Sequence, residues 1–218
     1  MEGMHLAWHV LLLLRLGQLE RAAGLLRQCR IGAAQTLRPL LAAAYRLALA
    51  EYLLAVQKDE GARPHVASAL TWAEESGHVE TEIRANLLLA RLQLRAEEQD
   101  APPSLEAAER AARRGGYRVL LVDALVLKGH AALLAGRWEQ AQEVGREAYG
   151  LSAMAPCGYQ WGQGSAAHLL GEVAYRQGQA VEAQHRAEEA VRVRRAIQDA
   201  RVKRSEAVLT RIEESGAP

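Results

Sequence analysis

The sequence predicts an all-α protein, a stack of about five helical hairpins ending in one unpaired helix, and three observations carry that prediction. The first is composition. Half of the 218 residues are hydrophobic, only 5% are aromatic and none is Phe, so the interior must be built from small and aliphatic side chains, which suit closely spaced helices. The second is periodicity, because no window alternates apolar and polar residues in the manner of a strand. The third is a repeat: Gly129 is followed by Gly136, Ala141 and Ala148 at offsets of 7, 12 and 19 residues, and Gly171 by Gly178, Ala183 and Ala190 at the same offsets.

Each repeated position has a physical reason. A small residue inside a first helix lets its neighbour approach closely, and a glycine can leave the helical conformation and end it. Two alanines about two turns apart on a second helix then face one neighbour. Counting back from Gly171, spacings of 39 to 42 residues lead through Gly129 and Ala90 to Ala50 and Val10, each inside an apolar stretch. Gly17 and Ala22 repeat the five-residue step seen from Gly136 to Ala141 and from Gly178 to Ala183.

In chain order, helices are expected over 3–16, 18–31, 34–57, 62–76, 79–97, 103–114, 117–135, 138–150, 160–177, 180–197 and 199–214. The first carries the apolar run His5 to Leu14 and ends at Gly17; the second carries Ala22. The third holds the run Leu47 to Ala50, and Gly61 with Pro64 breaks the chain before the fourth. Gly77 separates the fourth from the fifth, which holds Leu87 to Ala90, and Ala101-Pro102-Pro103-Ser104 precedes the sixth. Gly115-Gly116 opens the way to the seventh, with Gly129, and Trp138 starts the eighth. The Pro156-Cys157-Gly158 loop precedes the ninth, with Gly171, and the tenth carries Ala183 and Ala190. The eleventh starts from Asp199 as N-cap, has no partner, and covers the open end of the stack. The hairpins are thus 3–31, 34–76, 79–114, 117–150 and 160–197, with 199–214 as the cap, in a single domain over 1–218. The polar, proline-containing loop Glu97 to Ser104 is the best candidate for a domain boundary if one exists, and its eight residues suit an insertion within a hairpin as well.

The spacing resembles the tetratricopeptide repeat, in its longer variant of roughly forty residues found in bacterial signalling proteins. Leu170-Gly171, Gly178, Ala183 and Ala190 match the Leu-Gly pair, turn glycine and two alanines of that repeat, and Trp138 takes the aromatic place after the turn, while the usual Trp of the first helix is absent. The resemblance implies a right-handed α-solenoid whose first helices line a concave groove that binds a protein or peptide partner without catalysis. A second resemblance lies in Pro156-Cys157-Gly158-Tyr159-Gln160-Trp161 followed by Ala166-Ala167-His168-Leu169-Leu170-Gly171-Glu172, which is similar to the C-terminal repeats of bacterial NACHT-type and related STAND signalling NTPases. It implies a sensor module normally preceded by an effector and an NTPase.

The solenoid register assigns groove positions. Arg84, Arg91 and Arg95 come from the third unit, His130 from the fourth, and His168, Glu172, Tyr175 and Arg176 from the fifth. Arg84, Arg91 and Arg95 are spaced by seven and four residues, so they point the same way and, with the histidines and Arg176, form a mildly basic wall suited to an acidic peptide or carboxylate. The Lys and Asn positions of the carboxylate clamp of chaperone-binding tetratricopeptide domains are not matched.

Other chemistries find no motif. The 27 basic and 26 acidic residues leave a net charge of +1, so no whole-molecule field draws the chain to nucleic acid or an anionic membrane, and only Lys58, Lys128 and Lys203 are lysine, a bias of GC-rich bacterial coding. Cys29 and Cys157 are isolated, which fits a reducing cytoplasm and gives neither a disulfide framework nor a nucleophile motif. The run His5 to Leu14 carries Glu2 before it and Arg15 after it, unlike a signal peptide, and falls short of the roughly 18 apolar residues of a membrane span. His5 and His9 share a helix face but have no HExxH context, and Gly162-Gln163-Gly164 reads as a helix entry with no strand before it, so no metal, nucleotide or other cofactor is expected and no enzymatic activity. The arginine-rich run from Arg186 to Arg204 reads as a solvated face with Glu182–Arg186 and Glu188–Arg192 pairs, and it lacks interleaved aromatic residues, which disfavours nucleic acid. The alternative to a protein-binding module is a receptor for a small peptide or metabolite that controls transcription, which requires a closed pocket.

Overall fold

The structure is a computed structural model that describes residues 2–35, 39–96, 102–154 and 158–215; among these it holds eleven helices and no strand. They are α1 (Glu2–Arg15), α2 (Leu19–Gln35), α3 (Pro39–Ala55), α4 (Asp59–Ser76), α5 (Val79–Arg95), α6 (Pro103–Gly115), α7 (Arg118–Leu134), α8 (Trp138–Ala153), α9 (Gln160–Arg176), α10 (Ala180–Ala196) and α11 (Val202–Glu214). All eleven expected helices are present. Pro39 and Pro103 each open a helix, where the missing N–H has no intrahelical partner to lose. Cys157 and most of the loop from Glu97 to Ser104 lie outside the described residues.

Two helix starts differ from expectation. Gly61 and Pro64 lie inside α4 and not before it, because the chain turns earlier, at Gln57 with φ 58°, and the Lys58 carbonyl accepts the first helical bond from Ala62 N–H at 3.2 Å. Pro64 forfeits one hydrogen bond in the second turn. Burial carries the helix past it, since Ala62, Val66, Ala69 and Ala73 are fully buried. At the other end, Asp199 does not cap α11, which starts at Val202 after Arg201; Asp199 is instead a buried carboxylate that accepts a bond from the Arg201 backbone N–H at 3.0 Å.

The chain divides into two compact units, the first holding α1–α6 and the second α7–α11. In the first unit each helix packs on the next, while α1 also packs on α3 and α3 on α5. The second unit follows the same rule, with α7 on α9 and α9 on α11. Side-chain hydrogen bonds between hairpins repeat the period: Arg91 to Glu51 spans 40 residues, Arg95 to Leu54 spans 41, Tyr149 to Glu189 spans 40, Tyr159 to Asp123 spans 36 and Arg211 to Glu172 spans 39. Such a narrow band arises when helices two apart in the chain lie side by side at the same height.

The core sits at the repeat positions. Val10, Ala50 and Ala90 are fully buried, as are Ala22, Ala62, Ala141 and Ala183 on the second helices, and Gly129 and Gly171 are buried in α7 and α9. A Cβ on Gly129 would lie 2.3 Å from Leu169 Cδ2, and one on Gly171 would lie 3.2 Å from the Ala187 backbone N, so both glycines are there for close approach. Gly136 and Gly178, both at φ 71°, end α7 and α9; the following N–H groups, of Arg137 and Gln179, donate back to Ala132 and Ala174 carbonyls at 2.8 and 2.9 Å.

Candidate functional site

In the first unit the three arginines expected on a groove wall all reach back toward earlier helices. Arg91 pairs with Glu51 of α3 at 2.6 Å, and Arg95 pairs with Asp59 of α4 at 2.9 Å while donating to the Leu54 carbonyl at 3.0 Å. Arg84 pairs with Glu80 at 3.0 Å, and its guanidinium carbon stands 4.1 Å from the centre of the Trp8 ring of α1, a cation–π contact. Each arginine therefore brings a carboxylate with it, and the wall carries less positive charge than the sequence implies. A hollow of about 300 Å³ opens elsewhere in this unit, lined by Val79, Glu82, Ala111, Arg114 and Gly115.

The second unit gathers its groove residues around α9. His130 of α7 is half-buried and its ring centre lies 6.1 Å from that of His168, which is only 8% exposed. Glu172 sits one turn along α9 and is reached by Arg211 at 3.4 Å, while the Arg211 guanidinium carbon is 6.0 Å from the Tyr175 ring. Tyr175 is half-buried against the α9–α11 core, and Arg176 is exposed. His168 was expected on an open wall. The structure places it in the interior because α11 packs over it.

Sequence reasoning missed what surrounds His168. Arg194 of α10 is 3% exposed and donates through Nη1 to Ser205 Oγ of α11 at 2.6 Å and to the Arg201 carbonyl at 3.1 Å. Ser205 Oγ lies 3.2 Å from His168 Nδ1. A guanidinium can only donate, so Ser205 accepts from Arg194, and its hydroxyl is at hydrogen-bond distance from the imidazole as well. Asp199 closes the group, taking Arg201 Nη2 at 2.7 Å and Nε at 3.0 Å. The signal was present in the spacing of α10: Ala183, Ala187, Ala190 and Arg194 follow steps of four, three and four, so the arginine continues the buried alanine stripe. Gly164 of α9 was a second sign, since a Cβ there would meet Arg194 Cγ at 3.1 Å.

Burial and charge act together on these groups. Burial, then the nearby charges of Arg194, Arg204 and Arg201, hold the His130 imidazole down at about 4, and burial, then Arg194, His130, Arg204 and Arg201, takes His168 to about 2. Arg194 is lowered to about 10 by burial and by Arg201, with Asp199 opposing. Burial would raise the Asp199 carboxyl, but the hydrogen bonds and charge of Arg201 outweigh it and hold the group below its ordinary value. Both rings are therefore neutral, and the local positive charge belongs to arginines.

The remaining arginines of the basic run follow the solvated reading in part. Arg186 pairs with Glu182 at 2.8 Å as expected, whereas Arg192 lies 3.9 Å from Glu189 and not against Glu188, whose carboxylate takes Gln184. Glu189 is held on the inner side by Tyr149 and by Arg186 at 3.2 Å, which draws the pairing toward it. Cys29 is buried, and burial pushes its thiol up, away from nucleophilic character. Among the described residues no three His, Cys, Asp or Glu side chains are grouped as a metal site, and no helix is long and apolar enough to cross a membrane. No family model and no curated protein matches this chain.

Proposed function

We propose that this chain is a non-catalytic interaction or sensor module, each unit a stretch of right-handed solenoid, that binds a protein or peptide partner on the faces of α5, α7 and α9. The observation that carries this reading is the near-constant spacing of hydrogen bonds between hairpins, 36 to 41 residues for the pairs Arg95–Asp59, Tyr159–Asp123, Arg91–Glu51 and Arg95–Leu54. It supports alternate helices standing side by side, the arrangement that builds an extended binding face in helical-repeat modules. In the first unit Arg84, Arg91 and Arg95 supply such a face, and in the second His130, Glu172, Tyr175 and Arg176 supply another, with His168 buried behind it. The similarity of residues 156–172 to sensor repeats of bacterial signalling NTPases makes a cytoplasmic regulator of that kind the context we favour.

Selection of peptides from a displayed library against the full chain, followed by hydrogen exchange of the best complex, tests the proposal. Protection should fall on α5, α7 or α9. Protection confined to α8 and α10, or no peptide bound above background, would remove the reading. A small-ligand receptor is the second reading; it needs a closed pocket, and the hollow beside Val79 and Arg114 is open to solvent, so the partner-binding reading is preferred. A thermal-shift screen with metabolites distinguishes it, because Glu82→Leu should then abolish the shift while leaving peptide binding intact.

A further inference from the structure

Among the described residues, Gly17, Gly77, Gly116, Gly136 and Gly178 hold the left-handed position of a turn, and Gln57 and Gln198 hold it with a side chain. The α10–α11 turn, Ile197-Gln198-Asp199-Ala200-Arg201, contains neither Gly nor Pro. Nor does the apolar pattern break there. Ala187, Val191 and Arg194 of α10 and Ser205, Val208 and Ile212 of α11 are all buried, and in one straight helix passing through 198 and 201 they would recur in steps of four and three, on a single face. Asp199 and Lys203 would then stand four apart, acid first, as a favourable pair. The local sequence thus suits helix, and tertiary contacts make the bend.

Those contacts are few. Asp199 takes Arg201, and Arg194 donates to the Arg201 carbonyl at 3.1 Å, but Arg194 Nε stays 4.0 Å from Asp199 Oδ2 and has no hydrogen-bond partner in its buried position. Among the described residues α11 packs on α9 and α10 alone, and it buries Ser205, Val208 and Ile212 there and adds the pairs Arg211–Glu172 and Arg195–Glu206. By contrast α4, which follows the strained turn at Gln57, buries Ala62, Val66, Ala69 and Ala73, so more core would be lost if it left.

We propose that α11 is exchanged between two copies of this chain: the 197–201 turn straightens, α10 and α11 become one helix from Ala180 to Glu214, and α11 docks on α9 and α10 of the second copy. The inference goes beyond the partner-binding reading and does not rest on it. The occupant follows from complementarity. The surface that α11 leaves carries Glu172 and Arg195 together with apolar Ala183 and Ala187, and α11 brings Arg211 and Glu206 to these charges and Val208 and Ile212 to the alanines. A second α11 remakes each of these contacts, so the two forms differ at the turn. Straightening relieves Gln198 and adds helical hydrogen bonds. It gives up the bonds between Asp199 and Arg201 and the freedom of two separate chains, so the exchanged form gains with concentration. A helix from 180 to 214 is about 50 Å long, enough to carry α11 away from its own α9.

Two full-length variants test the exchange. One carries Glu172→Arg with Arg195→Glu, the other Glu206→Arg with Arg211→Glu, so each alone sets like charges across the α11 contact. Opposite charges return on mixing only if α11 passes from one copy to the other. With one variant isotopically labelled, native mass spectrometry of the mixture after incubation at high concentration should show the mixed dimer at least about tenfold above either self-dimer. The unaltered chain supplies a second measurement that needs no charge reversal. Sedimentation should show a dimer that grows with concentration; Gln198→Gly, which favours the turn and disfavours helix at both hinges, should lower it at least about tenfold, and Gln198→Ala should raise it. A chain that stays monomeric at its highest soluble concentration overturns the exchange. So does a dimer that is indifferent to both Gln198 variants, or a mixture with no excess of the mixed dimer, since either would place the contact away from α11.

Discussion

The two units join their hairpins at nearly the same residue spacing, but the second adds joining groups in opposite surroundings. In the first unit the ties are Arg91–Glu51 and Arg95–Asp59, whose side chains are between 29% and 39% exposed. In the second an exposed pair of the same kind, Arg211–Glu172, stands beside a buried set of His168, Ser205, Arg194 and Asp199, together with Tyr149 against the nearly buried Glu189. Exposed pairs contribute at most about 1 kcal/mol each, so the first unit depends on its alanine and leucine core. A buried network is different. Desolvation offsets most of its electrostatic gain, yet breaking one member leaves a desolvated partner and is costly. The same repeat can therefore be stapled in a way that tolerates change or in a way that punishes it.

Acid should separate the units most. The His130 and His168 rings are held at about 4 and about 2, against 6.5 for a free imidazole. Between those values the unfolded chain binds protons that the folded chain refuses, so their contribution is complete above pH 6.5 and declines as the pH falls, by about 1.4 kcal/mol per pH unit for each ring. Urea unfolding followed by assigned backbone amides, at pH about 7 and about 5, should show the α9–α11 amides losing more stability than those of α3–α5. In the first unit only His65 is similarly lowered, by burial and then by Arg46. Equal losses in both units would mean that the buried histidines do not govern the difference.

Arg194→Ala should come next. It removes the donor that Ser205 and the Arg201 carbonyl use and the cation beside Asp199, and should cost about 3 kcal/mol, whereas Arg91→Ala or Arg95→Ala should cost under about 1 kcal/mol and less still in high salt. Chemical denaturation of the three variants at low and high salt checks both halves. A cost for Arg194→Ala as small as that of Arg91→Ala would erase the contrast.

How far the sequence foretold this contrast depends on side-chain length. The helices and the buried small residues at Val10, Ala50, Ala90, Gly129 and Gly171 were legible because a helix contact needs a small group at a fixed height, and that need repeats every 39 to 42 residues. The ties between hairpins were not legible in the same way. Spacing puts Arg84, Arg91 and Arg95 on one side of their helix, but a long side chain can lie along its own helix or fold back to the preceding hairpin, and helical spacing alone does not choose. Arg194 was hidden because a cation on an apolar stripe counts as an exception to the pattern until its partners, on another helix and in the turn before it, are known. Pro64 misled for a related reason: local chemistry argues for a break, and burial of the same helix face overrules it.

The close-approach glycines Gly129 and Gly171 probe the helix contacts within the second unit. Gly129→Leu and Gly171→Leu should each cost about 1–3 kcal/mol through overpacking. The structure separates them further, because Gly129 faces the end of a buried leucine side chain, while Gly171 faces the Ala187 backbone, which cannot rotate away. Alanine should thus cost more at Gly171, where backbone must move, than at Gly129, where the Leu169 side chain can turn. Thermal unfolding of the two alanine variants decides which constraint is stiffer.

The smallest effect isolates the backbone from the ties. Gln57 ends α3 at φ 58° and Gln198 follows α10 at φ 55°, in the left-handed position that Gly17, Gly136 and Gly178 occupy elsewhere. A residue with a Cβ is strained there by about 1 kcal/mol, and glycine relieves the strain while adding entropy to the unfolded chain, so Gln57→Gly and Gln198→Gly should each gain roughly 0.5 kcal/mol. Gln57 lies in the unit with exposed ties, and Gln198 lies between Arg194 and Asp199 of the buried cluster. Equal gains in calorimetry would show that the turns obey the same backbone rule whatever surrounds them. A gain at Gln57 with a loss at Gln198 would mean that the buried cluster itself sets the second turn, so that loosening the backbone there costs more than the relieved strain returns.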